Sequence, residues 1–197
     1  MRIRRFYQAL GEVRTTGTSS IQPRVEVVGN RVNYTLDFSG GASDAKLANV
    51  AGQLIENIAC LRDYLNAWCK KNGKPIIGDA IINSNLDVAI IHDLWNLDKH
   101  FELDRPPRCR LNLELRDIHR GAHLTTQAKA GSFMAIGIDP HTGQPVAIGD
   151  GKVELIVDAD VMEKAGKRIG GLLEIAERAI TVWEKAFTDV GVVLPAR

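Results

Sequence analysis

The chain has 197 residues, 45% of them hydrophobic and 25% charged, which suits a folded globular protein and excludes wholesale disorder. Its formal charge of +1 offers no global attraction to nucleic acid, a membrane surface or an acidic substrate. No apolar run approaches the roughly 18 residues that would suggest a transmembrane helix. The cysteines, Cys60, Cys69 and Cys109, are odd in number and form no CxxC, so a reducing, cytoplasmic setting is expected.

Residues 1–23 form a basic N-terminal segment. Arg2, Arg4, Arg5 and Arg14 face Glu12, while Ile3, Phe6, Tyr7, Leu10 and Val13 recur at helical spacing. Such a segment fits docking on its own domain or a partner, a nucleic-acid arm, or a targeting peptide. A single α+β domain is expected over 24–197. It opens with a hairpin at 24–38, where Val25, Val27, Val32, Tyr34 and Leu36 alternate around Gly29-Asn30.

After "SGGASD", Ser43 or Asp44 can cap a helix expected over 45–72. Its apolar stripe runs through Leu47, Leu54, Ile58, Leu65 and Trp68, and Gly73 is placed to end it. A second helix, expected over 84–102, opens on a Ser84/Asp87 capping box. It buries Leu86, Ile90, Leu94, Leu97 and Phe101 until Pro106-Pro107 stops it.

Short antiparallel strands in a meander fill 109–157. A closing helix is expected over 159–188, with Ile169, Leu172, Ile180, Trp183 and Phe187 inward. Gly170-Gly171 inside that helix would cost about 1 kcal/mol each relative to Ala. The expected architecture is therefore an antiparallel pair of long helices, a meandering antiparallel sheet and a long C-terminal helix. No phosphate-binding glycine loop occurs, and no cofactor is expected.

"HDLWNLDKHFELD" (92–104) holds the densest polar set. On a helical projection Asp93, Asn96 and His100 gather on one border of the buried stripe, Asp98 falls on the other, and Lys99 points away. Antiparallel packing brings Arg62 level with Leu94 and Glu56 level with His100. A histidine beside a carboxylate and an arginine can move a proton and hold an anion, so His100, Asp93, Arg62, Glu56, Asn96 and Lys99 are the candidate catalytic residues. The competing reading is a structural network in which these groups satisfy one another.

A metal is not expected: Asp93 and His100 stand about 10 Å apart along a helix. His119 and His123, if on a strand, stand about 13 Å apart. Arg108, Arg110 and Arg116 share an alternation face with Glu114 and are candidates for nucleic-acid binding, or for a mixed-charge solvated face.

"IENIACLRDYLNAW" (55–68) followed by "LWNLDKHFEL" (94–103) resembles uncharacterised bacterial and phage-type proteins carrying NLRxxLDxLAW and NxDKH. These are similar to the HEPN group of helical domains. Arg62, Trp68, Asn96, Asp98, Lys99 and His100 match the pattern; Asn66 stands in place of Asp, and Phe101 in place of Arg. The compact Arg-polar-x₃₋₅-His motif of HEPN ribonucleases is missing from "NLDKH", and "RDIHRGAH" reads as strand. The resemblance implies a homodimer with an RNA or protein partner. It leaves two expectations, a non-catalytic accessory or interaction domain, or a metal-independent ribonuclease using His100 as general acid/base.

Overall fold

The computed structural model describes Tyr7, Gly11 and residues 13–28, 31–99 and 106–194; at 24, 26–28, 31–34, 98 and 99 it describes the backbone alone. The architecture is α+β. Strands β1 (Arg14–Thr16), β2 (Gln22–Val28) and β3 (Arg31–Asp37) come first, followed by helices α1 (Asp44–Ala59), α2 (Leu61–Lys71), α3 (Gly78–Ser84) and α4 (Leu86–Lys99). Then come β4 (Leu113–Thr125), β5 (Met134–Ile138), β6 (Pro145–Gly149), β7 (Lys152–Glu163) and β8 (Arg168–Gly171), and α5 (Leu172–Asp189) closes the chain.

The β2–β3 hairpin pairs Val28 with Arg31, the register a two-residue turn demands. Ser43 caps α1, its Oγ accepting the Lys46 N–H at 3.3 Å. The stripe expected to run unbroken from 45 to 72 is split at Cys60, which closes α1 and opens α2. No proline or glycine marks the break, because the apolar spacing continues through it. Gly73, at φ +63°, lets the Lys74 N–H return to the Cys69 carbonyl at 2.9 Å.

The connector expected before α4 holds the short helix α3. Its first N–H, on Gly78, donates to Asn66 Oδ1 at 2.9 Å. The start of α4 also differs from expectation. Asn85 caps it by accepting the Val88 N–H at 3.0 Å, while Ser84 donates back to the Ile81 carbonyl and Asp87 pairs with Arg178. Leu86, expected inside, is 57% exposed, whereas every residue from Val88 to Leu94 is buried. Helix α4 is enclosed nearly all round by α1, α3, α5 and β4, so its polar residues are carried into the core.

The sheet runs β1-β7-β4, with β8 also on β7, all antiparallel. Val153, Leu155, Val157, Ala159 and Val161 alternate inward along β7. That period of two corrects the expected helix start. Residues 159–171 belong to β7, a turn and β8, and α5 begins only at Leu172. Gly170-Gly171 therefore sits at the strand-to-helix junction, with no helical penalty. Asp158 of β7 caps α5 from a distance, Oδ1 accepting the Leu173 N–H at 2.9 Å.

Among the described residues strands β5 and β6 pair only with each other, so the meander is a long β4–β7 pair with a two-stranded ribbon in the connection between them. At the N-terminal side, Val13 is buried in the core, Tyr7 Oη donates to Glu184 at 2.8 Å, and Arg14 pairs with Glu177 as β1 adds to the sheet. All three cysteines are free thiols. Among the described residues no helix is long and apolar enough to cross a membrane.

Candidate functional site

Two consecutive residues of α4, His92 and Asp93, are the buried polar groups of the described core, each 2% exposed. Asp93 Oδ2 accepts the Cys109 N–H at 2.8 Å, fixing the Pro107–Arg110 turn that leads into β4. The Cys109 thiol lies in the same place, 3.6 Å from the Leu111 carbonyl. Burial, reinforced by the neighbouring Asp93 carboxylate, pushes that thiol up to about 12.

His92 faces the other way. Arg62 Nη1 lies 3.3 Å from its Nε2, and the Asn96 amide lies 3.0 Å from its Nδ1. A guanidinium only donates, so Nε2 carries the ring's lone pair and Nδ1 its proton. Asn96 Nδ2 stands 3.0 Å from Nδ1, and exchanging the amide's nitrogen and oxygen lets Nδ1–H donate there. Trp95 packs edge-on, ring centroids 5.7 Å apart.

Arg62 continues outward to Asp63 at 2.8 Å and Asp79 at 3.7 Å. Arg108 reaches the same Asp79 oxygen at 2.8 Å and Asn83 at 3.1 Å. Arg62, from the expected catalytic set, and Arg108, from the expected nucleic-acid set, are thus joined through Asp79.

No family model, curated protein or solved structure matches this chain. Its own geometry therefore carries the functional argument.

Of the sequence-expected residues, Arg62, Asn96 and Arg108 converge on one network through His92 and Asp79, and Asp93 stands behind it against Cys109. Glu56 is exposed on α1. Asp98 and Lys99 belong to α4 by backbone alone, and His100 lies outside the described residues. Arg108 and Arg110 precede β4 in a turn, with Arg110 at φ +59°, so they share no strand face with Arg116. Arg116 is exposed and pairs with Glu114 at 2.5 Å. Among the described residues no group of three His, Cys, Asp or Glu is placed to hold a metal ion.

His92 carries the network, although the helical projection gave weight to His100. The run "VAIIHDLW", apolar on all sides, is the sequence signal that could have found it, since a helix without a solvent face buries its polar residues too.

A separate cleft of about 530 Å³ opens between the β3–α1 turn and β4, lined by Asp37, Ser39, Asp44, Leu47, His119 and Arg120 among others. The ladder shifts register between Arg116 and His119, with Asp117 at φ +50°. Beyond the bulge pairing resumes with His119 opposite Asp158 and Arg120 opposite the buried Val157, so Arg120 shares the inward face and His119 takes the other face of β4. His119 Nδ1–H donates to the Asp117 carbonyl at 2.7 Å.

Proposed function

We propose that this chain is a non-catalytic interaction domain that works as a homodimer, with the polar residues of α4 serving as an internal clasp. The observation that supports this is the enclosure of His92 and Asp93, both 2% exposed, with bonds to Arg62, Asn96 and Cys109. A general acid or base must reach a substrate, and these two face the interior. The HEPN-like resemblance enters this reading as a scaffold of paired helices, with no chemistry taken from it.

The dimer reading draws on the β5–β6 ribbon. A two-stranded ribbon is marginally stable alone, and Phe133 and Ile148 beside it are 56% and 45% exposed. Among the described residues both outer edges of the ribbon have no strand partner. Antiparallel pairing of one such edge with its own copy is self-complementary about a two-fold axis, so a second chain is the occupant that the ribbon suits.

Light scattering on the purified chain, alongside metal-free incubation with RNA, tests both halves. Wild type should be a dimer, Ile148→Lys a monomer with unchanged circular dichroism, and neither should cleave RNA. A monomeric wild type refutes the dimer. RNA cleavage lost in His100→Ala at an unchanged melting temperature refutes the non-catalytic reading and establishes the ribonuclease alternative.

A further inference from the structure

We propose that the cleft between the β3–α1 turn and the β4 bulge binds a small organic carboxylate that also carries hydrogen-bond donors, the charge pattern of an amino acid. The inference is independent of the dimer, because it rests on different residues.

Arg120 is the first reason. Arg14, Arg62, Arg108, Arg116, Arg168 and Arg178 each contact a carboxylate. Arg110 is exposed. Arg120 is half-buried in the cleft wall and makes no hydrogen bond or ion pair with any described residue. A partly desolvated guanidinium favours an anion, and its planar donor pair matches a carboxylate.

The turn opposite is shaped around that guanidinium. Gly40 and Gly41 take φ +63° and +75°, and a Cβ on Gly40 would stand 2.7 Å from Arg120 Nη1. Any side chain at Gly40 would therefore push the guanidinium from its place, besides straining the backbone.

The other wall groups select the rest of the ligand. Asp44, exposed in the first turn of α1, offers a carboxylate. Asp37 also lines the cleft and holds the turn by accepting the Ser39 N–H at 2.9 Å. The Asp44 carboxylate lining the same cleft as the guanidinium disfavours a phosphate dianion, whereas the pair suits a single carboxylate accompanied by an ammonium or hydroxyl donor.

Nitrogen–proton correlation spectra of the full chain, titrated with glycine, acetate and inorganic phosphate, provide the test. Glycine should shift the Gly40, Gly41 and Arg120 signals saturably and bind about tenfold tighter than acetate, the margin of one added charge-assisted hydrogen bond. Phosphate should bind more weakly than either. Arg120→Gln should abolish saturation while the melting temperature holds, and Asp44→Asn should erase the advantage of glycine over acetate. No saturable shift with glycine, phosphate binding tighter than glycine, or wild-type affinity in Arg120→Gln would each overturn the proposal.

Discussion

Replacing Asp93 with alanine removes a single acceptor from a dry position. Oδ2 sits 2.8 Å from the Cys109 nitrogen, at a residue 2% exposed, so the orphaned N–H gains no water in exchange. Leaving a buried donor unsatisfied costs roughly 1–3 kcal/mol, and a bond to a charged acceptor belongs in the upper part of that range. For a chain of 197 residues, about 2 kcal/mol corresponds to a fall in melting temperature of about 4–8 °C. Asp93→Asn keeps an oxygen of the same reach and should lose less than half as much. Urea unfolding of the three proteins gives the free energies, and hydrogen exchange at the Cys109 amide gives the local readout. That amide should be protected in wild type and Asp93→Asn, and exposed to exchange in Asp93→Ala. Equal losses in both variants, with protection unchanged, would refute the reasoning, because the carboxylate would then act through its charge and not as the anchor of the turn.

Asp158→Ala should cost about 0.5–2 kcal/mol, the worth of a helix N-cap, and exchange should quicken at Leu173, whose N–H Asp158 accepts; unchanged exchange there would remove the capping role. Cys109 should resist thiol reagents in the folded protein while the half-buried Cys60 reacts. Its thiol is raised from 9.0 to about 12 by burial, with Asp93 adding to it, so the folded state holds a proton that the unfolded chain releases. The contribution is fully present below pH about 9 and is lost as the pH climbs to about 12. Denaturant melts across that window should show a steeper alkaline decline for wild type than for Cys109→Ala, and identical slopes would exclude this thiol as the cause.

The elements whose cause is local were legible in the sequence. Ser43 caps α1 because hydroxyl and N–H are three residues apart, and the Gly29-Asn30 spacing sets a hairpin register that β2 and β3 keep. The elements whose cause lies elsewhere were not. The first long helix breaks at Cys60 within a stripe that reads as continuous. Residues 159–171 carry both a strand period and apolar residues at helical spacing, and pairing with β4 and β8 decides between them. The cap that fixes the start of α5 comes from Asp158, fifteen positions earlier in the chain. For α4 the expected buried stripe was wrong at Leu86, which is exposed, and it gave no place to His92, which is buried.

The arginines show why the candidate site was harder to read than the fold. In the sequence Arg62, Arg108, Arg116 and Arg120 are equal charges, and spacing can only group them by face. What decides whether a guanidinium is available to a ligand is whether the protein has already supplied its carboxylate. Asp79 does so for Arg62 and Arg108, and Glu114 for Arg116. Arg120 differs in its place: it pairs with the buried Val157 and lines the cleft, and among the described residues no carboxylate bonds it. A donor that the described residues leave uncommitted therefore opens onto the cleft that Asp44 also lines. Which cations a fold leaves without a carboxylate has no signature in composition, so the chemistry of that cleft follows from tertiary placement, whereas the clasp around His92 follows from burial.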